Sequence, residues 1–93
     1  MTIKIKDYDD ACYYVRELIK IVGTNCDIKF ENMLCAVSDC LVIDGSAETN
    51  HKYLKKAYLF LVEDEFDICE ELEDKDAEYM KLVLEALETY CCA

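Results

Sequence analysis

Apolar side chains recur every three or four residues along most of the chain, which is the spacing of one face of an α-helix. The first stretch with this spacing predicts a helix over about residues 8–22. Aspartates at its start can cap free backbone N–H groups, and Gly23 follows as a predicted stop. Its stripe comprises Tyr8, Ala11, Cys12, Val15, Leu18, Ile19 and Val22.

A second helix is predicted after the turn at Thr24–Asn25, with Asp27 as its N-cap and Gly45 as its stop. Val42 and Ile43 widen its apolar face, so a buried strand over residues 40–43 is the alternative. The stripe of this helix comprises Phe30, Met33, Leu34, Val37, Cys40 and Leu41.

Ser46 is the predicted N-cap of a third, long helix that bends near Glu63. Lysines occupy its first half and carboxylates its second, which opposes the favourable order along a helix dipole. Its predicted stripe comprises Leu54, Ala57, Tyr58, Leu61, Val62, Phe66, Cys69 and Leu72.

Asp74 or Asp76 is the predicted N-cap of a fourth helix, while residues 1–6 alternate in polarity and predict an extended arm. The stripe of the fourth helix comprises Ala77, Met80, Val83, Leu84, Leu87, Tyr90 and Cys91. A chain of 93 residues without proline is long enough for one modest core. The expectation is a single acidic domain over residues 1–93, an all-α bundle of about four amphipathic helices.

Charge is concentrated in residues 63–78, where ten carboxylates and one lysine contribute −9 of the formal net charge of −11. Like charges three or four residues apart on a helix repel by roughly 0.2–0.5 kcal/mol per pair. This concentration predicts a surface for a basic partner, with a solvated face that maintains solubility as the alternative. The candidate partner-binding residues are Glu63, Asp64, Glu65, Asp67, Glu70, Glu71, Glu73, Asp74, Asp76 and Glu78.

As one helix, residues 63–78 would span about 24 Å and have roughly one net charge per 2.7 Å. Duplex DNA has about one charge per 1.7 Å of its axis. The similar density predicts that the segment takes the place of nucleic acid on a basic protein surface, such as a nucleic-acid-binding protein or a nuclease. Direct binding of nucleic acid is not expected.

Candidate chemistry is sparse. His51 is the single histidine, and no Gly-rich or nucleophile-elbow turn accompanies it or the thiols. An EF-hand loop beginning at Asp64 would place Phe66 and Cys69 where a ligand and a turn glycine are required. Cysteine spacings such as Cys35 to Cys40 are atypical of zinc sites. We expect neither enzyme activity nor a metal or other cofactor.

Seven cysteines are many for this length, but the number is odd and the N-terminus lacks the apolar core of a signal peptide. Cys12, Cys40, Cys69 and Cys91 fall on or beside the apolar stripes, where a thiol packs as a small hydrophobic group. We therefore expect reduced cysteines, a cytoplasmic location and no membrane association.

In size, acidity and absence of a catalytic motif, the chain resembles phage-encoded anti-CRISPR proteins and bacterial immunity proteins that neutralise nuclease toxins. The resemblance is one of general character and assigns no functional residue. It implies a stoichiometric inhibitor that blocks the basic nucleic-acid channel of a bacterial defence nuclease. The alternatives are an immunity or antitoxin-like protein and a helical assembly subunit.

Several apolar residues fall off the main stripes and predict self-association, because a monomer would leave some of them exposed as a patch. A homodimer through the fourth helix would bury them and keep the two acidic segments apart. These residues are Tyr13, Tyr14, Ile21, Val42, Ile43, Phe60, Leu82 and Cys92.

Overall fold

The computed structural model describes residues 2–41 and 45–92, without the side chain of Cys92. It places five α-helices and one 3₁₀ turn, Ile28–Phe30, in these residues, and no strand among them. The helices are α1 (Tyr8–Asn25), α2 (Glu31–Leu41), α3 (Ala47–Glu63), α4 (Glu65–Glu71) and α5 (Asp74–Cys92). The all-α class is confirmed, and the described residues contain one helix more than the expected four because the third is divided.

Two predicted N-caps are confirmed. The Asp7 side chain accepts a 2.9 Å hydrogen bond from the backbone N–H of Asp10, and the Ser46 hydroxyl accepts one of 3.2 Å from Thr49. Asp27 caps the 3₁₀ turn that leads into α2, since its carboxylate accepts a 3.2 Å hydrogen bond from the N–H of Lys29. Short polar side chains therefore mark the starts of α1, α3 and the 3₁₀ turn before α2.

Other predicted boundaries were wrong. Gly23 does not end α1, which continues to Asn25 and closes with a bond from the N–H of Cys26 to the carbonyl of Val22. Asp74 and Asp76 lie inside the first turn of α5 rather than capping it. The strand alternative fails at Cys40 and Leu41, which belong to α2, and its remaining residues, 42 and 43, lie outside the described part.

The core is organised around α3, which contacts α1, α2, α4 and α5. Leu54, Ala57 and Leu61 are fully buried on this helix. α5 contributes Met80, Val83 and Leu87, also fully buried, as its stripe predicts. The radius of gyration, 12.4 Å, is close to the value of about 12 Å expected for a folded domain of this length.

The division between α3 and α4 falls at Asp64, whose backbone (φ −103°, ψ 5°) leaves the helical conformation. In a continuous helix Asp67 would lie one turn from both Glu63 and Asp64, so like-charge repulsion disfavours a continuous helix there. Two residues beyond the break differ from the predicted stripe. Ile68, off the predicted stripe, is fully buried, whereas Phe66, on that stripe, is 75% exposed.

Residues 2–6 have no helical or strand assignment. Ile3 and Ile5 pack partly buried against the core, while Lys4 and Lys6 are exposed. The backbone N–H of Lys6 donates a 3.1 Å hydrogen bond to the Asp10 carboxylate, which attaches this segment to the first turn of α1.

Candidate functional site

The ten carboxylates of residues 63–78, which we call the acidic surface, are distributed over the end of α3, the whole of α4, the start of α5 and the links between them. The break at Asp64 and the non-helical Leu72 and Glu73 divide the segment, so the even row assumed in the DNA comparison does not exist. Seven of the ten residues are exposed, and Asp64, Glu65 and Asp76 are half-buried. The acidic surface is therefore a folded, two-part surface rather than a rod.

The divided helix changes the electrostatic cost of the acidic surface. Glu65 and Asp67 lie in the first turn of α4, and Asp74 and Asp76 in the first turn of α5. Carboxylates near a helix N-terminus interact favourably with the dipole, by about 0.3–1 kcal/mol each at low ionic strength. The inference that the carboxylates of the third helix oppose its dipole was thus wrong for Glu65 and Asp67, because it assumed that this helix is continuous.

Glu71 has an intramolecular role. One carboxylate oxygen lies 3.2 Å from Nζ of Lys29, and the other accepts a 2.7 Å hydrogen bond from the backbone N–H of Asp27. The contact with Glu71 raises the pKa of Lys29. Glu71 therefore attaches the end of α4 to the turn before α2, and is less available to a partner than its neighbour Glu70, which is exposed.

Phe66 lies within the acidic surface and was missed as a candidate because the stripe assigned it to the core. It lines a groove of about 410 Å³ together with Val62, Cys69, Glu65 and Glu70 and with Lys81 of α5. Val62 is 36% exposed, and Leu59, one turn earlier in α3, is 52% exposed. We call Leu59, Val62 and Phe66 the apolar patch.

Exposure of Phe66 has a cost for the fold. Burying a phenylalanine side chain stabilises a folded protein by about 1.5–3 kcal/mol. Because Phe66 is 75% exposed, most of this stabilisation is absent here. Isolated exposed apolar residues are ordinary in proteins. Here three occur at the i, i+3 and i+7 spacing, and two share one groove with carboxylates. This arrangement is typical of a binding surface more than of a solvated face.

A second groove, of about 620 Å³, lies between α1 and α5. Asp76 and Glu78 of the acidic surface line this groove, but so do Lys20 and Lys75, so its charge is mixed. The structure therefore separates the carboxylates of α5 from those of α4 into different surroundings. Both grooves have mixed charge, and each contains an aromatic side chain, Tyr79 in this groove and Phe66 in the groove of the apolar patch.

His51 and the described thiols have structural surroundings. Nε2 of His51, which lies in α3, is 3.0 Å from the backbone carbonyl oxygen of Cys91. Cys12 and Cys40 are buried as expected, and Cys69 is half-buried. Burial raises the pKa of the Cys40 and Cys69 thiols. These surroundings favour the protonated thiol over the nucleophilic thiolate.

Most described residues that predicted self-association are not left exposed. Tyr14, Ile21, Phe60 and Leu82 are half-buried, while Tyr13 is 56% exposed. Val42 and Ile43, and the side chain of Cys92, lie outside the described part of the chain. The homodimer therefore stays a prediction with a smaller apolar surface to support it.

No protein-family model matches the chain, and neither the curated proteins nor the solved structures contain a match. Among residues 2–41 and 45–92, none of the helices has the length and apolar character needed to cross a bilayer. The acidic surface and the apolar patch are therefore the two features of the molecule from which a function can be proposed.

Proposed function

We propose that this protein is a non-enzymatic, stoichiometric inhibitor that acts in the cytoplasm and covers the basic nucleic-acid channel of a bacterial defence nuclease. The observation that carries the proposal is the exposure of seven carboxylates within one segment of net charge −9. Opposite charge on the partner accelerates association and selects against acidic partners. Occupation of the channel would exclude the nucleic-acid substrate.

Charge reversal within the acidic surface tests the proposal. Glu70 and Glu73 are exposed, and no hydrogen bond or ion pair of the described residues involves their side chains. Glu70→Lys/Glu73→Lys should abolish binding while the helical circular-dichroism signal persists. The matched control, Asp39→Lys/Glu85→Lys, alters exposed residues of α2 and α5 and also changes the net charge from −11 to −7.

The assay captures partners from bacterial lysate with the native protein and with both double variants. A captured nuclease should then lose cleavage activity at one inhibitor per enzyme, and raising the salt concentration should weaken its binding steeply. Capture of a cognate toxin would favour the immunity-protein alternative instead. Equal binding by both double variants, or insensitivity to salt, would contradict the proposal.

A helical assembly subunit is the second candidate, and the apolar patch is the observation that favours it. Exposed apolar side chains on a helix surface are common where subunits meet. Carboxylates on the same groove would oppose pairing of this surface with its own copy. Light scattering at micromolar concentration separates the candidates, since self-assembly requires a mass that rises with concentration.

A further inference from the structure

We infer that Phe66 anchors the partner interface, and that the partner surface contains an apolar pocket bordered by lysine or arginine side chains. The inference rests on the proposed function and specifies the partner more closely. If charge alone were recognised, carboxylates on this protein would be enough to bind the partner, and an exposed aromatic ring would not be needed. The structure instead places an exposed phenylalanine between Glu65 and Glu70 on one groove.

The position of Phe66 follows from local structure. The break at Asp64 begins a new helix in which Ile68 is buried in the core, and Leu72 is buried directly after its end. Phe66 lies two residues before Ile68, about 200° away around a helix, and is therefore on the outer side. Its exposure is fixed by the packing of α4 and does not depend on a rearrangement.

The surroundings of Phe66 determine which partner can cover it. The groove has an apolar lining from Phe66, Val62 and Cys69. The carboxylates of Glu65 and Glu70 border it together with one cation, Lys81 of α5, so carboxylates outnumber cations there. A nucleic acid or a second copy of this surface would place like charges against these carboxylates. A basic protein surface would pair with them while an apolar pocket received the ring.

Channels for single-stranded nucleic acid have this combination of properties. Lysine and arginine side chains bind the phosphates, and aromatic side chains stack on the unpaired bases. A phenylalanine flanked by carboxylates would present a ring and negative charges together, as a nucleotide does. Aromatic anchors in desolvated pockets commonly dominate the binding energy of protein interfaces.

Two synthetic peptides test the anchor separately from the charge. Both peptides have twelve residues, of which six are Lys or Arg. The other six residues are all Ser in the Ser peptide, and some of them are Leu in the Leu peptide. At physiological salt the Leu peptide should bind the native protein about fivefold or more tightly than the Ser peptide. Phe66→Ser should remove this preference and leave the affinity for the Ser peptide unchanged.

Tyr13→Ser is the matched control, because Tyr13 is an exposed aromatic residue of α1 outside the acidic surface. This variant should keep the preference for the Leu peptide. Phe66→Trp provides a second measurement, since the chain contains no tryptophan. Its emission should shift to shorter wavelength with the Leu peptide and not with the Ser peptide.

Equal affinities of the native protein for the two peptides, or a preference that persists in Phe66→Ser, would overturn the anchor. Binding of both peptides without preference would leave the proposed electrostatic function standing. Absence of binding by either peptide at low salt would contradict the proposed function as well. The two failures are therefore distinguishable.

Discussion

The carboxylate of Glu71 accepts a 2.7 Å hydrogen bond from the backbone N–H of Asp27, which lies 44 residues earlier in the chain. A residue of the acidic surface thus satisfies a backbone donor in the turn before α2. The same side chain pairs with Lys29. Acidic side chains in this segment therefore differ in role, although they are alike in sequence.

Glu71→Ala should destabilise the fold by about 1 kcal/mol, because it removes a charge-assisted hydrogen bond and leaves a backbone N–H without its partner. Glu70→Ala is the matched control, since it removes the same charge from the same helix at an exposed position. It should be neutral or slightly stabilising. Urea denaturation compares the two, and equal free energies of unfolding would contradict the role of Glu71.

Ile68→Ala should lower the free energy of unfolding by about 2–4 kcal/mol, because a fully buried side chain leaves a cavity. Phe66→Ala should change it by less than about 0.5 kcal/mol, since the ring is mostly exposed. Chemical denaturation with circular dichroism measures both. A larger loss for Phe66→Ala than for Ile68→Ala would contradict the burial of Ile68 and the exposure of Phe66.

Salt should act oppositely on stability and on partner binding. The free energy of unfolding should rise with ionic strength, because screening reduces self-repulsion in a chain of net charge −11. Thermal denaturation at 10 and 150 mM NaCl should show an increase in Tm of about 2–5 °C. Partner affinity should fall over the same range of salt concentration. A Tm and a partner affinity that both rise, or both fall, with salt would contradict this prediction.

Alkaline pH should destabilise the fold. Burial raises the pKa of the Cys26, Cys40 and Cys69 thiols, and it also raises the pKa of Tyr8, to about 12. Because the unfolded chain loses these protons first, stability is at its full value below the unfolded thiol pKa of about 8.5. It then falls as the pH rises through the folded-state values.

Denaturant titrations between pH 7 and pH 11 measure this dependence. Cys40→Ala should flatten part of the decline, because it removes one buried thiol. Cys35→Ser is the control, since the Cys35 side chain is exposed. A free energy of unfolding that stays constant up to pH 11 would show that these groups do not contribute.

Local signals in the sequence predicted most of the helical architecture. Asp7 and Ser46 mark helix starts because their side chains bond to backbone groups three residues away. The stripe of α5 predicted the buried side of that helix, including Met80 and Leu87. Such features depend on neighbouring residues alone, so pattern and spacing suffice to find them.

Two features of the candidate site differ from the prediction for different reasons. The bend predicted near Glu63 is present as the break at Asp64, but Phe66 was assigned to the core because the stripe continued in steps of four from Tyr58 and Val62. Ile68 lies seven residues after the buried Leu61, so the helical period places it on the buried face, and the steps of four omitted it. The contact between Glu71 and Asp27 joins residues 44 positions apart, so it follows from the packing of α4 and from no local motif.

The division at Asp64 also makes α4 a seven-residue unit bounded by non-helical residues on both sides. Such a unit can open and close as a local event, since helices of this length have little stability of their own and depend on their contacts. Ile68, Leu72 and Glu71 are the contacts that hold it. We therefore expect α4 to open more readily than the four longer helices, so that the part of the acidic surface around Phe66 has a lower local stability than the rest of the fold.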